Sequence, residues 1–153
     1  MQYVTHYMAK IGDRSEAFPG ARECLSRLRD EGFRLGVVTN ALQKVATSLL
    51  ARFELLDLLD IVVGGDQVAH NKPHPEHVLA ACRALDVRAP RTLFVGDSNN
   101  DVLAARAAQV DIVGVPHGYN EGQSCEALGC PLVASLIDLP EFVRMQRSPA
   151  LAT

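Results

Sequence analysis

The sequence lacks the features that direct a chain to a membrane or to nucleic acid. In its 153 residues no apolar run approaches the roughly eighteen residues of a membrane span, and residues 1–4 have neither the basic start nor the apolar stretch of a signal peptide. The net charge of -3 comes from interspersed acids and bases, with no basic cluster. We therefore expect a cytoplasmic protein whose partners are small molecules, not nucleic acid or a membrane. Its oligomeric state is left open.

The sequence also lacks a Cys-x-x-Cys pair. Its four cysteines are far apart or lie in apolar helical stretches, so reduced thiols are expected. Cys125 and Cys130 with His117 would make an incomplete zinc site, because a fourth ligand and the usual spacing are absent. Buried or surface thiols are the preferred interpretation.

Short apolar runs alternate with longer stretches of helical period, a pattern typical of βαβ units. The runs are residues 33–38, 61–63, 92–95, 111–115 and, more weakly, 132–134; the helices are residues 21–31, ended by Gly32, then 41–52, 75–85, 100–108 and 139–145. Nearly continuous apolar strands indicate a parallel sheet that is covered on both faces. We predict one three-layer α/β/α, Rossmann-like domain over residues 18–146, with a tail at 147–153.

The first residues predict a different element. An apolar spacing that fits one face of a helix predicts a short amphipathic helix before Gly12, and it is formed by Tyr3, Val4, Tyr7, Met8 and Ile11. A polar connector follows, and then a turn at residues 18–20.

Polar residues follow three of the predicted strands, at the edge of the sheet where ligands bind in open α/β folds. Thr39 and Asn40 lie at a helix start, where free amides and the helix dipole favour an anion such as phosphate. Ordinary helix capping is the alternative. Lys72, held between Asn71 and Pro73, is a candidate cation for the same phosphate, and a solvated surface lysine is the alternative.

Asp97 and Asp101 follow the third strand, with Gly96 as a tight turn and Ser98 available to cap the next helix. Magnesium takes oxygen ligands and typically one or two carboxylates, so the pair predicts a Mg²⁺ site. The alternative is that acidic residues simply favour a helix N-terminus.

The loop before the third helix contains further polar residues. His70, His74 and His77 have a spacing that suggests zinc on one helical face, but Pro73 and Pro75 break that helix. Polar residues that line the mouth of the crevice are therefore preferred. Asp66 either orients Lys72 or is a solvated turn residue.

The order Thr39-Asn40, Lys72-Pro73-His74-Pro75, and the segment from Gly96 to Asp101 resembles the second to fourth motifs of the haloacid dehalogenase superfamily. Residues 18–20 and 118–120 (Gly-Tyr-Asn) make the chain similar to phosphoglycolate phosphatases in particular. The resemblance implies that Thr39, Asn40 and Lys72 bind the phosphoryl group, that Lys72 also serves catalysis, and that Asp97 and Asp101 hold Mg²⁺. A small phosphate ester is the implied substrate.

The family's first motif, Asp-x-Asp-Gly-Thr, is not in this sequence, and no Asp-x-Asp occurs at all. In the family these two aspartates are the nucleophile and the acid-base group, so we expect this chain alone to be inactive. The resemblance further implies that most of the cap is missing and that residues 1–17 are its last helix and return linker. The family's first strand, between the runs 33–38 and 92–95, would also be absent. Its neighbours would then close up, another segment or chain would fill the gap, or the fold would be marginal.

Three functions are compatible with these motifs. The first is a phosphatase of small phosphate monoesters, active in a longer form. The second is a non-catalytic phosphate-binding or metal-binding module with a regulatory or interaction role. A receiver-type signalling domain also has a Thr and then a Lys-Pro, but its acidic residues precede the lysine, whereas Asp97 and Asp101 follow Lys72.

Overall fold

The computed structural model describes residues 2–5, 17–116 and 125–147. Its strands are β1 (Gln2–Thr5), β2 (Leu35–Val38), β3 (Ile61–Val63), β4 (Thr92–Gly96) and β5 (Asp111–Gly114). Its α-helices are α1 (Ala21–Asp30), α2 (Gln43–Arg52), α3 (Glu76–Ala84), α4 (Asn99–Ala107) and α5 (Leu139–Arg147). The weak run at 132–134 forms only an isolated parallel bridge between Leu132 and Gly114.

The five strands form one parallel sheet in the order β3-β2-β1-β4-β5. Alternate side chains of β4 belong to different hydrophobic clusters, because successive residues of a strand point to opposite faces. Leu93 and Val95 pack with residues of α1, α2 and α5, whereas Phe94 packs with residues of α3 and α4. The predicted three-layer α/β class with a parallel sheet is confirmed.

Helices α1 to α4 end in the same way. Each is followed by a residue with positive φ, and the next residue is apolar and donates its N–H to a carbonyl of the last helical turn. The four positive-φ residues are Gly32, Glu54, Asp86 and Gln109. Gln109 has a φ of 57°, a conformation that glycine adopts more readily than other residues. These sharp ends return the chain to the sheet.

The predicted helix at the start of the chain is wrong for Gln2–Thr5, which form β1 in the middle of the sheet. Val4 is paired with Gly36 of β2 on one side and with Phe94 of β4 on the other. The resemblance predicted a gap between the runs 33–38 and 92–95, and β1 occupies that position. A central strand is specified by two rows of backbone partners, which the apolar spacing of a single sequence does not reveal.

Residues 6–16 lie outside the described residues, so the rest of the predicted helix is untested. The assignment of residues 1–17 to a cap helix and return linker stays a prediction. Among the described residues, no helix is long and apolar enough to cross a membrane.

A proline in β1 tests this central strand. Val4→Pro removes a backbone donor where both edges of the strand are paired, which leaves a buried acceptor unsatisfied. We expect the free energy of unfolding to fall by at least about 2 kcal/mol, measured by urea denaturation. Val4→Ile keeps the N–H and the β-branched side chain and should have a much smaller effect. Equal stability of the proline variant and the parent would contradict the placement of β1.

Candidate phosphate and metal site

The loop after β3 and the start of α4 meet in a buried ion pair at the carboxyl edge of the sheet. The ammonium of Lys72 lies 2.7 Å from Oδ1 of Asp101, and the two residues are 5% and 0% exposed. The alternative of a solvated surface lysine is therefore wrong. Twenty-nine positions separate the partners in sequence, so the sheet is what brings them together.

Two effects of the surroundings shift the pKa of Lys72 in opposite directions. Burial lowers the pKa of Lys72 from the ordinary lysine value, while the negative charges of Asp101 and Asp97 oppose that shift. The ammonium also lies 5.7 Å from the ring centroid of Phe94, within the range of a cation–π contact. The site thus holds a lysine nitrogen in a nearly dry position beside two carboxylates.

Asp101 organises the strand-to-helix corner. Its Oδ2 accepts hydrogen bonds from the N–H of Asp97 at 3.0 Å, the N–H of Ser98 at 3.2 Å and the hydroxyl of Ser98 at 3.0 Å. Ser98 caps α4 in return, because its Oγ accepts the N–H of Asp101. A Cβ on Gly96 would come within 2.5 Å of the Cβ of Asp101, so only glycine fits this turn. Both oxygens of Asp101 are thus engaged within the protein.

Asp97 is 2% exposed and lies in the same corner. Its backbone is fixed by Asp101, and its charge acts on Lys72. Carboxylate oxygens of this kind suit Mg²⁺, which typically binds one or two carboxylates and completes its coordination shell with water and phosphate oxygens. The bonds of Asp101 favour Asp97 as the direct ligand and Asp101 as the residue that orients it. Metal binding by either residue stays a prediction.

Asn40 has a structural partner that the sequence did not indicate. Its side-chain amide donates to the carbonyl oxygen of Lys72 at 3.1 Å and accepts the N–H of Lys72 at 3.2 Å. This reciprocal pair fastens the loop after β3 to the loop after β2. Gly65 makes the approach possible, since a Cβ there would collide with the carbonyl of Asn40.

Thr39 is buried at the end of β2, where its N–H donates to the carbonyl of Val63 at 3.1 Å. Its hydroxyl oxygen accepts the N–H of Ala41 at 3.2 Å. This is a local turn contact of the capping kind. Helix α2 itself begins later, at Gln43, so Thr39 and Asn40 precede the helix start that was predicted for them. Phosphate binding by Thr39 and Asn40 stays a prediction.

Asp66 does not contact Lys72 in the described hydrogen bonds. Its Oδ1 accepts the N–H of Gln43 at 2.7 Å, so it satisfies a free amide at the start of α2. That bond lowers the pKa of Asp66 from its ordinary value. Gln43 in turn donates to the carbonyl of Val62 at 2.9 Å and accepts the N–H of Gly64 at 2.5 Å. Local sequence patterns do not reveal these hydrogen bonds between the loop after β3 and the start of α2, because their partners lie about twenty positions apart.

His77 is fully buried, which contradicts its expected place at the mouth of the crevice. Its Nε2 lies 3.0 Å from the carbonyl of Val63 and 3.2 Å from that of Gly64. Both partners are acceptors, so Nε2 bears the proton. Burial lowers the pKa of His77, and the ring is neutral at physiological pH. The buried ring of His77 therefore has a packing role.

The Gly-Tyr-Asn segment at 118–120, like His117, lies outside the described residues.

A parallel α/β sheet with polar residues converging at its carboxyl edge defines a Rossmann-like protein with a candidate ligand site after β2, β3 and β4. The haloacid dehalogenase-like hydrolase family matches residues 1–115. The chain therefore belongs to the haloacid dehalogenase-like hydrolase family.

Curated relatives are phosphoglycolate phosphatases. The protein from Nitrosospira multiformis is 44% identical over 143 residues, which cover 93% of this chain and 63% of the relative. The plasmid-encoded protein from Cupriavidus necator is 41% identical over 143 residues, 93% of this chain and 62% of the relative. The chain thus spans somewhat less than two thirds of the length of these relatives.

Solved structures show the same fold. A protein from Haemophilus somnus described as a predicted phosphoglycolate phosphatase has a TM-score of 0.81 at 30% identity, over 86% of this chain and 59% of that one. CbbY from Rhodobacter sphaeroides, solved in complex with phosphate, has a TM-score of 0.70 at 28% identity, over 80% and 55%.

The reciprocal pair of hydrogen bonds between Asn40 and the backbone of Lys72, here called the clamp, can be tested by measuring the stability of variants. Asn40→Ala removes two hydrogen bonds that hold the backbone of Lys72, and we expect the free energy of unfolding to fall by about 1–2 kcal/mol in urea denaturation. Asn71→Ala is the matched control in the same loop, because the described part of the chain gives its side chain no hydrogen bond. Equal losses in the two variants would contradict the clamp.

The bond from Asp66 predicts a pH dependence. The pKa of Asp66 in the folded chain lies below the ordinary 3.8, so its contribution to stability is complete above 3.8 and is lost as the pH falls through the lowered pKa. The urea midpoint of Asp66→Ala should therefore be below that of the parent near pH 6, and the difference should shrink as the solution is acidified toward about pH 2. Asp66→Asn is the control, because its amide oxygen can still accept the N–H of Gln43 but the side chain does not titrate. A difference that stays constant with pH would contradict the ionic role.

Proposed function

We propose that this chain is the phosphate-handling part of a phosphatase that hydrolyses small phosphate monoesters of the phosphoglycolate type. The reaction would follow the magnesium-dependent aspartyl-phosphate mechanism of the complete family member. The observation that carries the proposal is the buried Lys72–Asp101 pair beside Asp97. A charged cluster that is desolvated at the ligand edge of an α/β sheet is more typical of a functional site than of a structural contact. The names of the curated relatives support the choice of substrate.

Each residue of the candidate site has its own proposed role, which follows from its position. Lys72 would neutralise the charge of the phosphoryl group, and its orientation depends on Asp101 and on the backbone clamp from Asn40. Thr39 and Asn40 would bind phosphoryl oxygens. Asp97, with Asp101 behind it, would hold Mg²⁺, which when bound neutralises charge on the phosphate oxygens.

The nucleophile is the part that this sequence does not supply. The resemblance places the Asp-x-Asp motif at the end of the strand between β2 and β4, and that position is occupied by Gln2–Thr5, which contain no aspartate. Residues that position phosphate but cannot attack it retain only a weak remnant of catalysis. We therefore propose that the chain alone has negligible phosphatase activity.

A second candidate function is a non-catalytic module that binds phosphate or metal and acts in regulation or interaction. One observation favours it: β1 pairs on both sides, so the sheet is continuous without the strand that would carry the nucleophile. A chain that completes its sheet in this way could keep a phosphate pocket without catalysis. The two functions differ in one measurable property, which is turnover in a longer form.

The test compares the 153-residue chain with a longer form that carries an N-terminal Asp-x-Asp-Gly-Thr segment from a relative. Phosphate release from phosphoglycolate and from p-nitrophenyl phosphate is measured with and without Mg²⁺. We expect magnesium-dependent turnover in the longer form alone. Lys72→Met should lower its kcat/KM by about a thousandfold, since a charge pair at about 4 Å and an effective dielectric of about 20 is worth about 4 kcal/mol.

Asp97→Asn should also abolish turnover, whereas Asp30→Asn, which changes an exposed aspartate at the end of α1, should not. Circular dichroism verifies that each variant is folded. Absence of turnover in the longer form, combined with magnesium-dependent phosphate binding by calorimetry, would favour the non-catalytic module. Robust activity of the 153-residue chain that disappears in Asp97→Asn would refute the statement about the nucleophile.

A further inference from the structure

The loop that turns Lys72 inward turns two histidines outward. His70 and His74 are exposed, and their ring centroids are 4.6 Å apart. Glu76, the first residue of α3, joins them, because its Oε2 lies 2.8 Å from Nδ1 of His70. One possible ligand atom from each of the three residues lies within 4.8 Å of the others. This set differs from the three histidines that the sequence suggested, since the buried His77 is replaced by Glu76.

The cluster is held in place before any ion binds. The carboxylate of Glu76 accepts the N–H of His70 at 3.1 Å and that of Ala69 at 3.3 Å. His74 is fixed by its own N–H, which donates to the carbonyl of Asn71 at 2.9 Å, and its Nδ1 accepts the N–H of Glu76 at 3.1 Å. A neutral imidazole has one lone pair, so an ion on His74 would replace the hydrogen bond from the N–H of Glu76; the three side chains are otherwise already gathered.

The charge state of the acid suits a cation. The hydrogen bond from His70, followed by that from the N–H of Ala69, lowers the pKa of Glu76 below its ordinary value. The carboxylate is thus ionised at neutral pH, and it also offsets the positive end of the α3 dipole, which by itself would disfavour a cation here. A metal would replace the proton that His70 shares with Glu76.

We propose that His70, His74 and Glu76 form a binding site for a divalent transition-metal ion of the zinc type. Two imidazoles and one carboxylate suit Zn²⁺, Co²⁺ or Ni²⁺, whereas Mg²⁺ prefers oxygen ligands such as Asp97. The site has room for water or a ligand oxygen in the remaining positions, because His70 and Glu76 keep 64% and 29% of their side-chain surface exposed.

A bound ion would restrain the loop that carries Lys72, because its ligands lie on both sides of that residue. His70 lies two residues before Lys72, and His74 lies two residues after it. A bound ion closes this loop on the outside, while Asp101 and Asn40 hold it on the inside. Occupancy therefore tightens the segment that carries Lys72. The proposal concerns binding and does not depend on the proposed phosphatase function.

The test is a titration of the folded 153-residue chain with Co²⁺ in the presence of excess Mg²⁺, which would occupy the proposed site at Asp97. Binding is followed by the visible absorption spectrum and by calorimetry. We expect one ion per chain, a spectrum of nitrogen and oxygen ligands, displacement by Zn²⁺ and no displacement by excess Mg²⁺. His70→Ala, His74→Ala and Glu76→Gln should each weaken binding by more than about tenfold. Glu76→Gln keeps the shape of the side chain, and circular dichroism verifies the fold of each variant.

His117→Ala is the matched histidine control and should bind Co²⁺ like the parent. Unchanged affinity in the three cluster variants would overturn the proposal. So would a thiolate charge-transfer band, loss of binding in His117→Ala, or competition by Mg²⁺.

Discussion

The site depends on one buried ion pair. Lys72 and Asp101 are both withdrawn from water, and each would be strongly destabilising without the other, since a lone buried charge is far more unfavourable than a pair. The pair fixes more than itself, because the other oxygen of Asp101 gathers the N–H groups of Asp97 and Ser98. The loop after β3, the corner after β4 and the start of α4 therefore hold one another in place, and any ligand that binds at this edge meets a preorganised set of charges.

The sheet places a second constraint on the chain. A parallel sheet of this type needs a central strand with partners on both sides, and Gln2–Thr5 supply it between β2 and β4. The backbone provides these partners regardless of side chain, so a segment with another sequence can occupy the position of the family strand. What it cannot supply is the Asp-x-Asp chemistry. The strand ladder uses main-chain groups, whereas the proposed catalysis would need two particular carboxylates that Gln2–Thr5 do not contain.

The loop around Lys72 gives the domain two chemically distinct faces. On the inside, Lys72, Asp97 and Asp101 form a buried cluster of carboxylate oxygens and a lysine nitrogen. On the outside, His70, His74 and Glu76 form an exposed cluster that is rich in nitrogen. A hard cation and a borderline one would therefore be separated by ligand type, the first at the corner after β4 and the second on the loop after β3. This arrangement connects the proposed outer ion to the position of the inner lysine.

The sequence by itself determined the α/β class, the positions of β2 to β5 along the chain and most helix bounds, because these follow from local periodicity and from end signals such as Gly32. Strand 61–63 was predicted with the bounds that β3 has. Asp97, Asp101 and Lys72 could be selected, since polar residues after parallel strands share one edge. The tertiary structure alone decided that Gln2–Thr5 form a central strand, that Lys72 is buried on Asp101, that Asn40 holds its backbone, and that His77 turns inward while Glu76 joins His70. Each of these outcomes depends on partners brought together by the sheet or by a proline-bounded turn, and neighbouring residues in the sequence carry no signal of them.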